Sequence, residues 1–164
     1  MLLDLKNVFQ NEGEKLETSF ELRADDVEID SVYPFKSGIK VNAAAVNRPS
    51  FVELCITADF DYTRPCDRCL TEVTTPMHFR FEHRLAVSLN GEENGDYIET
   101  PDYKLDIREL ALTDIILQLP SKYLCRDDCK GLCPKCGQNL NEKDCGCTVR
   151  NIDPRMEKLM QLLD

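Results

Sequence analysis

Residues 38–60 read GIKVNAAAVNRPSFVELCITADF, and the reading of this stretch decides the fold class. Val52, Leu54, Ile56, Ala58 and Phe60 recur at every second position, the period of a strand with one face buried. Gly38–Val46 reads as a second strand beside it. Between the two, Asn47-Arg48-Pro49-Ser50 is a turn-forming cluster in which Pro49 ends the pairing. Cys55 falls on the face opposite the apolar row and reads as a lone structural thiol.

The same period extends in both directions. Upstream, Leu16, Thr18, Phe20 and Leu22 alternate with Glu17, Ser19 and Glu21, and Leu2–Phe9 reads as a first strand ahead of the polar turn Asn11–Glu14. Asp25, Asp26, Glu28 and Asp30 read as a solvated acidic connection. Downstream, Met77, Phe79, Phe81, Leu85, Val87 and Leu89 alternate with His78, Arg80, Glu82 and Arg84, which predicts a long strand, or a strand with a bulge near His83. Without a bulge, parity puts His78 and His83 on opposite faces. Both read as ordinary strand residues, since neither has a second ligand at a recognised spacing. Residues Asn90–Asp102, rich in Gly, Glu and Asn, read as an exposed loop.

At Asp106 the period changes. Asp106 and Glu109 have capping-box spacing, and Ile107, Leu110, Ala111, Ile115 and Leu119 recur at three and four residues, with Leu112, Ile116 and Leu117 widening the apolar face. Pro120 stops this helix of about fourteen residues, the main packing element for the sheet. Asp153-Pro154-Arg155 opens a last short helix through Met156, Leu159, Met160 and Leu163. The expected architecture is therefore α+β: a mostly antiparallel sheet or partly open barrel packed by one main helix, then a Cys-rich zinc knuckle and a short terminal helix. Residues 1–120 form the β-rich core and 121–164 the metal-binding extension, together one folded unit.

Charge narrows the partners. Residues 1–120 hold 12 Lys+Arg against 23 Asp+Glu, while residues 121–164 hold 8 against 7. An acidic body grips nucleic acid poorly, because phosphate binding rests on cationic side chains, so any RNA contact needs a local patch or a protein intermediary. No run approaches the eighteen or so apolar residues of a membrane helix, and the N-terminus does not read as a signal peptide. A cytoplasmic location follows, where clustered cysteines bind metal more often than they pair.

Six of the nine cysteines fall between Cys125 and Cys147, in CRDDCKGLCPKCGQNLNEKDCGC. Cys133-Pro134-Lys135-Cys136-Gly137 is the sharpest part: two thiolates two residues apart grip one ion from a tight turn, and Gly137 gives that turn its backbone freedom. A tetrahedral four-sulfur set favours zinc, with an iron–sulfur cluster as the second candidate. The metal candidates are Cys125, Cys129, Cys133, Cys136, Cys145 and Cys147. Six exceed the four positions of one ion; Cys133 and Cys136 are the firmest pair, and spacing does not choose the others or exclude two ions with bridging sulfurs. A closed set would be structural and not catalytic. Cys66–Cys69 reads three ways: a redox pair, half of a zinc site completed from the C-terminal cysteines, or a structural turn.

The chain resembles the YceD family of large ribosomal RNA subunit accumulation proteins. The resemblance is carried by Cys66-Asp67-Arg68-Cys69-Leu70 after a strand, by the helix ending Leu117-Gln118-Leu119-Pro120, by Gly131-Leu132-Cys133-Pro134-Lys135-Cys136-Gly137-Gln138-Asn139-Leu140-Asn141 with Cys145-Gly146-Cys147, and by Asp153-Pro154-Arg155. It implies a bacterial, cytoplasmic, non-catalytic factor in large-subunit rRNA accumulation or ribosome assembly.

Such a factor would bind rRNA or a ribosomal protein, with Arg64, Cys66, Arg68, Cys69, Lys130 and Lys135 as candidate contacts. No small-molecule substrate is expected, since GxSxG, phosphate-loop and HExxH patterns are all missing from the sequence. The competing reading is a thiol redox protein or redox-sensitive chaperone using Cys66 and Cys69, although no thioredoxin-like βαβ pattern surrounds them.

Overall fold

The computed structural model describes residues 1–88 and 97–147. The chain divides into two compact units, one formed by Met1–Arg64 with Val73–Ser121 and the other by Pro65–Glu72 with Lys122–Asp164. The predicted terminal helix from Asp153 lies outside the described residues.

The first unit is α+β, built on a curled, mostly antiparallel sheet. Its strands are β1 (Leu2–Asp4), β2 (Lys15–Leu22), β3 (Ile39–Arg48), β4 (Phe51–Pro65), β5 (Glu72–Ala86), β6 (Tyr97–Glu99) and β7 (Lys104–Asp106). Five of them form one sheet in the order β2-β3-β4-β5-β6, and β1 pairs with β7 in a separate ribbon. The β3–β4 hairpin is tighter than its composition predicts. Arg48 pairs directly with Phe51, so Asn47 and Arg48 belong to the strand and only Pro49 and Ser50 turn. Asn47 stays because its side-chain amide donates to Val8 O at 2.7 Å, a bond that a four-residue loop would not place.

Alternation writes the core. Ile39, Val41, Ala43 and Ala45 of β3 and Val52, Leu54, Ile56, Ala58 and Phe60 of β4 are all buried on one face. The connection between β2 and β3 folds back and inserts Phe35, whose ring meets Phe60 at 5.5 Å and Tyr62 at 5.9 Å. Phe60 in turn meets Phe79 of β5, edge to face, at 5.6 Å. Such pairs add to burial because the positive ring edge meets the negative face of its neighbour. In the acidic connection, Asp30 accepts a bond from Arg64 at 3.3 Å, and Asp30 and Ser31 both take positive φ in the tight turn that joins Ile29 to Val32.

Two segments correct the sequence reading. Leu2–Phe9 is not one strand: β1 ends at Asp4, and Lys6–Gln10 forms a short helix, α1. After Leu3 of β1, the next buried residues, Leu5 and Val8, are three apart, a helical spacing hidden in an apolar run too short to show its period. Within the predicted loop Asn90–Asp102, Tyr97–Glu99 forms β6, which runs parallel to β5 with Leu85 opposite Ile98. Thr100, fully buried, holds it there by donating both its amide and its hydroxyl to Ala86 O.

The main helix, α2 (Ile107–Gln118), starts where the capping signal places it. Asp106 accepts from the amides of Arg108 and Glu109 at 3.0 and 3.4 Å. Asp106→Ala removes that cap, and urea denaturation should show a loss of about 1 kcal/mol. Ile107, Ala111 and Ile115 are buried, whereas Leu117 is 80% exposed, so the apolar face is narrower than the count of aliphatic residues suggests. Asp114 on the same helix bonds His83 of β5 at 2.7 Å, while His78 turns to the opposite face of the strand and meets Asp59 at 2.6 Å.

Candidate metal centres

Both candidate centres lie in the second unit. At the end of β4 the chain enters the loop Cys66-Asp67-Arg68-Cys69, closed by the Leu70 amide on Cys66 O and the Cys66 amide on Thr71 O, each at 2.9 Å. Leu70 takes φ 59° to complete that turn. The loop is tied to the segment after α2 at several points. Asp67 and Tyr123 exchange two bonds, backbone amide to Tyr123 O at 2.9 Å and Tyr123 amide to the Asp67 carboxylate at 2.6 Å. Arg68 donates its guanidinium to Cys129 O at 2.8 Å, and its own carbonyl accepts from Leu132 at 3.1 Å.

This stitching brings four sulfurs together. Cys66 Sγ lies 3.8 Å from Cys129 Sγ, Cys69 Sγ lies 3.6 Å from Cys125 Sγ, and all four sulfurs fall within 4.8 Å of one another. A disulfide would need about 2.05 Å, and all nine cysteines are free. A zinc ion with bonds of about 2.3 Å sets the edge of its sulfur tetrahedron at about 3.8 Å. Cys66, Cys69 and Cys129 are buried, with Leu124 and Leu132 packed against them.

The second centre uses one short segment. Leu132 and Asn139 bridge as a miniature hairpin, with the Cys133 amide on Gln138 O at 2.8 Å and the Gly137 amide on Cys133 O at 2.9 Å. Gly137 takes φ 74°, the left-handed turn for which the sequence reading required glycine. Asn139 O then accepts from Glu142 and Lys143, turning the chain back so that Cys145 and Cys147 meet Cys133 and Cys136, again with all four sulfurs within 4.8 Å. Here Cys133 is buried and Cys136 is exposed.

Electrostatics favour a cation at both places. Burial opposes ionisation of Cys66, but the amides of Arg68, Cys125 and Cys69 aimed at its sulfur hold its thiol down to about 6. Amides of Cys136 and Lys135 likewise hold Cys133 down to about 6. Their neighbours go the other way: burial pushes Cys125 up to about 12, and hydrogen bonding to Cys136 pushes Cys147 up to about 12. Four sulfurs this close cannot all carry charge unless a cation sits among them. Metal binding must therefore expel a number of protons set by how many thiols are ionised beforehand, the depressed Cys66 and Cys133 giving theirs up most readily. Titration calorimetry of the metal-free chain in buffers of different ionisation enthalpy reads that number directly.

Asn141 joins the two centres within the unit. Its amide donates to Cys129 Sγ at 3.3 Å and its oxygen accepts from the Lys130 amide at 2.8 Å. Donors of this kind fix a sulfur's orientation and share its charge. Gly131, just before Leu132, takes φ 76°, and a Cβ there would lie 3.1 Å from Arg68 O. Gly131→Ala should accordingly destabilise this unit by about 1–3 kcal/mol, measurable as faster metal loss to a chelator.

Of the six C-terminal cysteines put forward as ligands, the structure groups Cys133, Cys136, Cys145 and Cys147 together and places Cys125 and Cys129 with Cys66 and Cys69. No sulfur is shared between the two groups. Cys66 and Cys69, considered as partner contacts, are buried. Arg64 bonds Asp30 in the first unit and Arg68 bonds Cys129 O in the second, while Lys130 and Lys135 are exposed. Spacing alone offered one sign of the split grouping: a CxxC supplies two ligands and needs two more from elsewhere.

Residues 54–163 match the family described as large ribosomal RNA subunit accumulation protein YceD. The chain belongs to the YceD family. Among relatives, an uncharacterized protein of Mycobacterium tuberculosis is 32% identical over 102 residues, covering 60% of this chain and 49% of its own length. A counterpart in Mycobacterium leprae is 29% identical over 104 residues, covering 60% and 46%. A Zea mays protein named large ribosomal RNA subunit accumulation protein YCED homolog 1, chloroplastic, is 32% identical over 74 residues, covering 42% and 25%. The chain thus spans about half the length of the mycobacterial relatives it matches, and less of the maize one. No solved structure matches it. The YceD match takes in both cysteine centres and the sheet from within β4 onward. Among the described residues, no helix is long and apolar enough to cross a membrane.

Proposed function

We propose that the protein is a non-catalytic factor in large-subunit rRNA accumulation, acting in a reducing compartment such as the cytoplasm by binding a ribosomal component, with zinc as the structural metal of its cysteine-rich unit. The family match over residues 54–163 carries this reading. The grouping of eight cysteines into two four-sulfur sets supports the structural role of the metal, since a four-sulfur site has no open position for substrate.

Charge favours a basic ribosomal protein over naked rRNA as the direct contact. The first unit holds 11 Lys+Arg against 21 Asp+Glu, whereas the second holds 9 against 9, so the whole net charge of −10 sits on the sheet unit. Such a surface repels phosphate and steers cationic partners. Exposed Lys130 and Lys135 stand beside sulfur sites that would carry about −2 each with zinc bound, and compensating that charge accounts for them without RNA. Crosslinking the tagged protein in cells tests the proposal. Recovery of large-subunit ribosomal proteins or rRNA above background supports it; recovery of neither removes it.

A thiol redox role for Cys66 and Cys69 has less support, because both sulfurs are buried against Cys129 and Cys125. In the metal-loaded chain they should alkylate more slowly than a free model thiol at pH 7.

A further inference from the structure

We infer that the two metal centres are unequal, the exposed one formed by Cys133, Cys136, Cys145 and Cys147 being an oxidant-responsive site that releases its ion while the buried one keeps its own. The inference rests on reading both clusters as metal sites and adds a regulation of one of them.

Access is the first difference. At the buried centre, Cys66, Cys69 and Cys129 are 0%, 5% and 2% exposed and Cys125 is half-buried, with Leu124 and Leu132 packed against the sulfurs. At the other centre only Cys133 is buried; Cys136 is exposed and Cys145 and Cys147 are half-buried. Gly137 and Gly146 lie beside these cysteines, and among the described residues other than their chain neighbours no atom comes within 4 Å of where a Cβ would stand. A thiolate reacts as a nucleophile only where the attacked reagent can reach it.

Chain topology is the second difference. The buried centre joins cysteines 63 and 56 positions apart, and its two segments are stitched by the Asp67–Tyr123 and Arg68–Cys129 bonds. Releasing its ion requires those segments to part. The exposed centre takes all its ligands from one run ending in Cys-Gly-Cys, so opening that single segment frees the ion. Local openings of this kind cost less than separating distant parts of a unit. Asn141, between the ligand pairs of the exposed centre, is itself anchored on Cys129 Sγ, which leaves the buried centre in place when the later cysteines let go.

The chemistry balances with hydrogen peroxide as oxidant. The Cys136 thiolate attacks the peroxide oxygen, forming a sulfenic acid and breaking the O–O bond, with hydroxide leaving and taking a proton to become water. A neighbouring thiolate of the same centre then attacks the sulfenic sulfur, forming the disulfide and expelling hydroxide, which takes a second proton. Two sulfurs lose one electron each, the peroxide gains two, and the dication departs because half its ligands are gone.

The test uses the full chain purified with zinc. Native mass spectrometry first counts the ions, and hydrogen peroxide is then added in the presence of a zinc-sensing dye, with differential alkylation locating the oxidised cysteines. One zinc equivalent should leave first, with disulfides confined to Cys133, Cys136, Cys145 and Cys147, while Cys66, Cys69, Cys125 and Cys129 resist alkylation until the chain is denatured. Cys136→Ser should retain one zinc and lose the early phase. Simultaneous release of both ions, oxidation starting at Cys66 or Cys69, or no release would overturn the inference alone. A chain carrying fewer than two ions overturns the metal reading together with it. The crosslinking result bears on neither outcome, so the two readings fail separately.

Discussion

Stripping the metal with a strong chelator should abolish the ordered structure of the cysteine-rich unit while leaving the sheet unit folded. Among its described residues the second unit has few other means of support. The buried side chains there are Cys66, Cys69, Tyr123, Cys129 and Cys133, with Leu124, Cys125 and Leu132 packed against the first cluster, and between the strand ends the backbone is mostly turns and isolated bridges. A core this small cannot offset the conformational entropy of ordering its loops. Structural zinc contributes about 10–16 kcal/mol of apparent binding energy in comparable small sites, which is more than such a unit has to lose. Amide exchange read by NMR or mass spectrometry should show protection vanishing over residues 65–72 and 122–147 and persisting along β3 and β4. Loss of protection throughout, or none anywhere, would sink the expectation.

The second large effect belongs to the other unit. Ile56 is fully buried in the middle of β4, with Ala43 of β3 directly opposite it. Ile56→Ala removes three carbons from a packed interior and leaves a cavity, at a cost of about 2–5 kcal/mol. For a domain of this size that shifts the thermal midpoint of the sheet unit by roughly 10 °C or more. The metal count should not change, because none of the eight clustered sulfurs draws on Ile56. Calorimetry together with metal analysis on the same sample separates the two. A variant that loses zinc in proportion to its lost stability would show that the units do not stand apart energetically.

These two expectations also mark how much of the molecule could be read in advance. Strands β2 to β5 and α2 were legible because each shows its period over eight or more residues, with Asp106 and Pro120 punctuating the helix. What escaped was set by contacts too brief or too distant to leave a period. Leu5 and Val8 form a helical pair in a segment of ten residues, and β6 is three residues held by Thr100. At the site, Cys133 with Cys136 announced a metal-binding turn, and a half-site at Cys66 and Cys69 was one of three readings of that motif. The partition of eight sulfurs into two sets depends on Asp67 meeting Tyr123 and Arg68 meeting Cys129, contacts 56 and 61 positions apart that no local pattern encodes.

That long separation has a consequence during synthesis. Cys66 and Cys69 emerge from the ribosome ahead of the partners that complete their centre, Cys129 and Cys125, which follow 63 and 56 residues later. At about 5–20 residues per second, the delay is roughly 3–13 s. Through that interval β2 to β4 are already available to pair, while the loop thiols stand open to whatever the compartment offers. An ion held by these four sulfurs would thus record that translation has passed residue 129 and that the loop thiols have remained reduced until then.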